Sequence, residues 1–245
     1  MPCLGHRDPD AQRHPRPTLR QGSMIRFEHL TKGFATEGGR RVIVEDLTLT
    51  LPPGRAIALL GRNGAGKSTL LQMIAGNQRP DAGRIVTGGS VSWPVGFGGT
   101  FHPDLTGVQN TRFVARIHGV NPHRLTDFVA GFAELGDHYA MPVRTYSHGM
   151  KARLTFGMSM GIAFDTYLVD EVTATGDAAF REKSQAIFRD RIERAGALIV
   201  SHNMEELRRL CDAALVLEGG RARFYPCLEE GIAAHNAQLG VADRI

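Results

Sequence analysis

Apolar and polar residues alternate along residues 24–30 and again along 42–51, a period of two that sets one face of each stretch on a core. Two strands are expected there, joined by a loop that holds Gly33, Phe34, Gly38 and Gly39. Residues 56–60 are apolar without interruption, as a strand covered on both faces requires, and the spacing turns helical over 70–75. Residues 84–86 and 91–95 read as further short strands with glycines at their turns. From Gly107 the period is helical again, with an apolar stripe at Leu125, Phe128, Val129 and Phe132, and this stretch is expected to run to about Tyr146. Another helix is expected from near Met150, carrying Leu154, Met158 and Ile162 on one side; Met150, Met158 and Met160 read as adaptable core filler. The remainder alternates. A strand at 167–169 precedes a helix with Phe180, Ile187, Phe188 and Ile192, then come a strand at 197–200 and a short helix at 203–210. A strand at 213–217, the Gly219-Gly220 turn, a strand at 221–225 and an amphipathic helix complete the pattern.

Between the buried strand at 56–60 and the helix that follows stands Gly61-Arg62-Asn63-Gly64-Ala65-Gly66-Lys67-Ser68-Thr69. Its three glycines let the backbone bend so that N–H groups point inward, and the helix start turns its positive end to the same hole, so anions belong there. The spacing G-x-x-x-x-G-K-[ST] adds Lys67, long enough to reach β- and γ-phosphates, and Ser68, whose hydroxyl suits one position on Mg²⁺. About a hundred residues later an apolar strand ends in Asp170-Glu171. In a phosphate-loop fold the first acid is placed to bind Mg²⁺ and the second to orient and polarise the attacking water. Ser201-His202 end the next strand; on that side of such a sheet a γ-phosphate contact is favoured over the solvated role of an ordinary lone histidine. Tyr146-Ser147-His148-Gly149 supply a hydroxyl and a glycine ahead of a second positive helix end. Phe34 reads equally as a packed ring or as a surface on which a base stacks.

A chain of 245 residues, 42% of them hydrophobic, suits one large α/β domain with an inserted subdomain. No apolar run approaches the ~20 residues of a membrane helix, and the first residues lack an apolar signal segment, so a cytoplasmic protein is expected. Residues 1–23 carry Pro2, Pro9, Pro15 and Pro17 among arginines and histidines and are expected to be disordered, with the folded part starting at Met24. The formal charge is +4, of which Arg7, Arg13, Arg16 and Arg20 against Asp8 and Asp10 contribute +2, leaving the folded part only mildly basic. Without a Lys/Arg stripe interleaved with aromatics, a nucleic-acid surface is not expected. Cys3, Cys211 and Cys227 are odd in number and far apart, which points to neither a disulfide framework nor a metal site, and His6 and His14 are too isolated to be ligands.

In this order, a phosphate loop, a helical insertion, a Ser-x-Gly helix start, a strand ending Asp-Glu and a strand ending in histidine resemble the ATP-binding subunit of an ABC transporter. The likeness covers residues 24 to about 225. It implies a P-loop NTPase fold, with a RecA-like core, an antiparallel β subdomain and an α-helical subdomain inserted at about 104–150, in a nucleotide-binding domain spanning 24–245. It implies ATP and Mg²⁺ at the site, with Ser68 and Asp170 on the metal, Glu171 as general base and His202 steadying the γ-phosphate. It also implies a head-to-tail homodimer in which Ser147 and Gly149 of one copy meet the γ-phosphate held by the phosphate loop of the other. The D-loop is reduced to Thr173-Ala174-Thr175-Gly176-Asp177, with Asp177 in the acidic place.

Ser92-Trp93-Pro94-Val95-Gly96, Phe101-His102-Pro103-Asp104-Leu105-Thr106-Gly107, Phe132-Ala133-Glu134-Leu135-Gly136 and Val169-Asp170-Glu171-Val172-Thr173-Ala174 look like the capsular-polysaccharide export branch. That branch implies a peripheral protein at the cytoplasmic face of the inner membrane, docked beneath two copies of a separate polytopic permease that exports a lipid-linked polysaccharide. Relatives that export O-antigen often add a C-terminal carbohydrate-binding domain, and the sequence ends soon after its last helix, which favours the capsule type. Besides the reduced D-loop, two further departures stand out. His148-Gly149-Met150 replace the Gly-Gly-Gln common after the signature serine, with His148 where the capsule branch usually has serine, and Phe97 falls where most families keep the Q-loop glutamine. Another cargo (O-antigen, teichoic acid or a small molecule) is the first alternative. A soluble nucleic-acid- or ribosome-associated ABC ATPase is the second, although no coiled-coil insertion, zinc module or tandem half supports it. A P-loop kinase is the third.

Overall fold

The computed structural model describes residues 24–37, 39–95, 101–171 and 178–239. Strands β1 (Ile25–Thr36) and β2 (Gly39–Leu51) pair antiparallel, with Phe34 opposite Arg41 and Thr36 opposite Gly39. Both run further than the alternation predicts, so Gly33 and Phe34 lie within a strand rather than in a loop. The reason is a set of register shifts between Phe27 and Gly33 that break the simple alternation without breaking the ladder. His29 and Asp46 absorb part of the irregularity at φ 49° and 48°, and His29 Nδ1 bonds Asp46 Oδ1 at 2.7 Å. The N-terminal segment expected to be disordered, residues 1–23, falls outside the described residues.

The chain then enters a second sheet as β3 (Ala56–Leu60) and forms helix α1 (Lys67–Ile74) before β4 (Ala82–Thr87) returns to pair with β1. The first sheet has the order β2-β1-β4. The second contains β5 (Thr166–Asp170), β6 (Gly196–Val200), β7 (Ala213–Glu218) and β8 (Arg221–Tyr225) in the order β5-β6-β3-β7-β8, parallel except for β8. Alternation in β3 divides the core between two faces. Ile57 and Leu59 join Leu168, Leu198 and Leu215 under the antiparallel sheet and α1, against Phe27, Leu30, Leu70 and Leu71. Ala58 and Leu60 join Val169, Ile199 and Val216 on the opposite, helix-covered face.

Residues 91–95 do not form the full strand expected of them. Val91 and Val95 make isolated parallel bridges to Thr166 and Val169. Pro94 has no N–H to give a ladder, and the Ser92 hydroxyl, rather than a carbonyl, accepts from Leu168 N–H at 2.9 Å. Between β4 and β5 stand α2 (Gly107–Ile117), α3 (Pro122–Ala133) and α4 (His148–Gly161), with 3₁₀ turns at Gly136–Ala140 and Val143–Thr145. Asn121 caps α3, whose first residue is Pro122, a proline where no helical N–H is lost. Helix α4 begins two residues earlier than expected because Ser147 caps it, accepting from Met150 N–H at 3.2 Å. Helices α5 (Ala178–Arg194), α6 (Met204–Leu210) and α7 (Leu228–Leu239) complete the fold. Among the described residues no helix is long and apolar enough to cross a membrane.

Candidate functional site

β3, β5 and β6 run parallel, so Leu60, Asp170 and Val200 reach the same edge of the sheet, with Asp170 directly opposite Val200. Whatever follows each strand must converge there, as ligand-binding loops do at the carboxyl ends of such sheets. The loop after β3 is the phosphate loop, Glu171 follows β5, and Ser201-His202 follow β6. A cleft of about 500 Å³ opens at this edge.

Gly66, at φ 102°, is the N-cap of α1 and supplies no side-chain cap. A Cβ at Gly66 would run into the Ile43 side chain, and one at Gly64, φ 78°, into the Arg41 guanidinium, so the loop needs glycine for backbone shape and for clearance. The first helical bond runs from Leu70 N–H to Gly66 O at 2.9 Å. The N–H groups of Lys67, Ser68 and Thr69 therefore have no helical acceptor and stand at the positive end of the helix, an anion cradle made of backbone. Lys67 Nζ donates to Gly61 O at 2.7 Å and to Arg62 O at 3.2 Å. Partial burial lowers its pKa from the usual lysine value, and the charges of Asp170 and Glu171 oppose that shift.

Glu171 has φ 54° and donates its N–H to Val200 O at 3.0 Å. Its carboxylate lies 2.9 Å from His202 Nε2, with the two side chains 54% and 62% exposed. A contact so open to water adds little to stability; its effect is to orient the two groups. The loop that carries His202 is itself tied, since Ser201 Oγ donates to Glu206 at 2.7 Å and accepts from Asn203 N–H at 3.1 Å.

Phe34, Asn63, Gly64, Gly66, Lys67, Ser68, Thr69, Asp170, Glu171 and His202 all line the cleft. Gly61, Arg62 and Ala65 build the loop from behind: the carbonyls of the first two hold Lys67, and Ala65 N–H donates to Arg62 O at 3.0 Å. Ser147 and Gly149 stand at the N-terminus of α4 and are not among the cleft residues. Asp177 and Phe97 lie outside the described residues. Thr36, Arg41, Ile43 and Val200 also line the cleft, and sequence reasoning missed them. The alternation starts the second strand at residue 42, which hid Arg41 and left the face shared by Arg41 and Ile43 unread. The Ser68 hydroxyl and Asp170 carboxylate share the cleft as hard oxygen donors, a set that fits Mg²⁺ completed by phosphate and water. Among the described residues no group of three or more His, Cys, Asp or Glu side chains could hold a metal by itself.

Residues 44–174 match the family profile described as ABC transporter. The chain is 46% identical over 212 residues to the polysialic acid transport ATP-binding protein KpsT of Escherichia coli, covering 85% of this chain and 95% of that protein. It is 40% identical over 215 residues to the capsule polysaccharide export ATP-binding protein CtrD of Neisseria meningitidis, covering 87% and 99%. Among solved structures it resembles an ATP-binding subunit of an ABC transporter with a TM-score of 0.72 at 21% identity, over 90% of this chain and 95% of the other, a likeness of fold.

Proposed function

The chain belongs to the ABC transporter family, among its ATP-binding subunits for capsule polysaccharide export, and on that premise we propose that it hydrolyses ATP to drive a lipid-linked capsular polysaccharide across the inner membrane. It works as a homodimer at the cytoplasmic face, docked on a separate polytopic permease. The observation that carries this reading is the meeting of phosphate loop, Asp170-Glu171 and His202 on one edge of the sheet, in a chain that matches a polysialic acid transport ATP-binding protein and a capsule polysaccharide export ATP-binding protein along nearly their whole length.

Phosphoryl transfer to water asks a protein mainly for positioning and for charge placed where it develops. The amides of Lys67, Ser68 and Thr69 and the Lys67 ammonium hold the phosphates. Ser68 and Asp170 would hold Mg²⁺, which neutralises phosphate charge when bound. Glu171 orients the attacking water and takes its proton as the bond to the γ-phosphorus forms and the bond to the β-phosphate oxygen breaks, leaving ADP and phosphate. His202 fixes the Glu171 carboxylate through the 2.9 Å contact and steadies the γ-phosphate. Ser147 and Gly149 stand outside the cleft of their own chain, which supports a partner copy that brings them to the γ-phosphate.

Glu171→Gln keeps the shape of the side chain and removes the base. It is expected to bind ATP, to lose nearly all hydrolysis and to elute as a dimer on size exclusion in ATP, while the wild type returns to monomer as ATP is consumed. Hydrolysis at the wild-type rate would remove Glu171 from this role.

A further inference from the structure

Three cations in the antiparallel sheet lie close together in sequence and have different surroundings. Lys32 Nζ and Arg40 Nη2 both meet the Asp81 carboxylate, at 2.8 and 3.0 Å. Arg41, on the other face of β2, meets no carboxylate among the described residues; its Nη2 donates to the carbonyl of Gly64 in the phosphate loop. Lys67 rests in the same manner on the carbonyls of Gly61 and Arg62. Among the described residues the cleft thus holds two cations bound to loop carbonyls, one from α1 and one from β2.

The position of Arg41 indicates which part of a nucleotide it would meet. Arg41 is the cross-strand partner of Phe34, and both line the cleft. Two residues along β2, Ile43 packs against Gly66 at the start of α1. The β1–β2 hairpin therefore lies over the loop with Phe34 and Arg41 side by side at one level, Arg41 against Gly64, and with Ile43, two residues further along β2, over the helix start. A nucleotide with its terminal phosphates on the α1 amides and its base on Phe34 brings its α-phosphate, the phosphate nearest the base, closest to Arg41. A guanidinium has five N–H donors in a fork that matches phosphate oxygens, and Gly64 occupies one.

We propose that Arg41 is a second nucleotide-binding cation, which moves from the Gly64 carbonyl to the α-phosphate and binds it alongside Lys67. This rests on the reading of the cleft as an ATP site. Because ATP and ADP share the α-phosphate, Arg41 strengthens both equally. A contact made alike in ground and transition states acts on KM and leaves kcat unchanged.

The test is calorimetric titration of the full chain with AMP-PNP and with ADP in Mg²⁺ buffer, for wild type, Arg41→Gln, Arg41→Lys and Lys67→Ala, with ATPase KM and kcat measured beside it. Arg41→Gln is expected to weaken AMP-PNP and ADP by the same factor, about tenfold, and to raise KM with kcat retained. Arg41→Lys, which keeps the charge and loses the fork, is expected to fall between it and wild type. Wild-type affinity in Arg41→Gln, or Arg41→Lys binding no better than Arg41→Gln, overturns the proposal while a loss in Lys67→Ala leaves the ATP site standing. A loss confined to AMP-PNP overturns the α-phosphate assignment. A wild-type chain that binds neither nucleotide overturns the ATP reading and the proposal together.

Discussion

At Glu171 the backbone takes φ 54°, a conformation that costs a residue with a Cβ roughly 1–2 kcal/mol. The N–H bond to Val200 holds it and the contact with His202 orients the carboxylate, so the chain leaves β5 while keeping a second acid at the sheet edge. Asp81 serves the scaffold instead. It bonds Lys32, Gly33 N–H and Arg40, and these partners hold its carboxyl down at about 2, Lys32 having the largest effect. Since the folded pKa lies below the ordinary 3.8, the stabilisation is present above that value and is lost as pH falls from about 4 to about 2. Asp81→Asn is expected to melt below wild type at pH 7, with the two curves converging near pH 2; parallel curves across that range would contradict the assignment. At this scale, Lys67, Ser68, Asp170 and Glu171 were legible because each lies in a contiguous motif whose spacing carries the chemistry. Arg41 was not, because its partner Gly64 is 23 residues away and only the hairpin register brings them together.

Among the elements, α2 shows how much of the helical insertion is held by polar bonds at its start. Thr106 Oγ1 accepts from Gln109 N–H at 3.1 Å and Gln109 Oε1 accepts from Thr106 N–H at 2.9 Å, a reciprocal cap. Asn110, 1% exposed, accepts from His102 N–H at 2.9 Å and donates to the carbonyls of His102, Leu105 and Thr106. It ties the segment entering the helix to the helix itself. Asn110→Ala leaves those backbone groups without their buried partner and is expected to cost about 2–3 kcal/mol in urea unfolding; a loss below about 0.5 kcal/mol would show that the segment stands without it. Most elements were legible from periodicity, since α3 and the buried strands at Ala56–Leu60 and Gly196–Val200 declare themselves by a helical stripe or an unbroken apolar run. Residues 91–95 misled because an apolar run with a proline does not reveal that a serine hydroxyl takes over the ladder. The length of β1 was hidden by its register shifts.

For the molecule as a whole, the governing fact is that parallel pairing sends Leu60, Asp170 and Val200 to one edge. Order along the sequence was enough to anticipate this α/β architecture, and the order of the motifs to connect it with the ABC family. Strand order and the packing of one sheet over the other depend on contacts between distant segments, which periodicity does not encode. Export is work done by the whole assembly, so the decisive measurement is made in the cell: deleting the gene and quantifying long polysaccharide inside the cell and on its surface, with wild-type and Lys67→Ala rescues side by side. Polymer is expected to accumulate inside the deletion strain and to leave its surface bare, corrected by the wild type and not by Lys67→Ala. Surface polymer at the parental level in the deletion, or full correction by Lys67→Ala, would contradict that expectation.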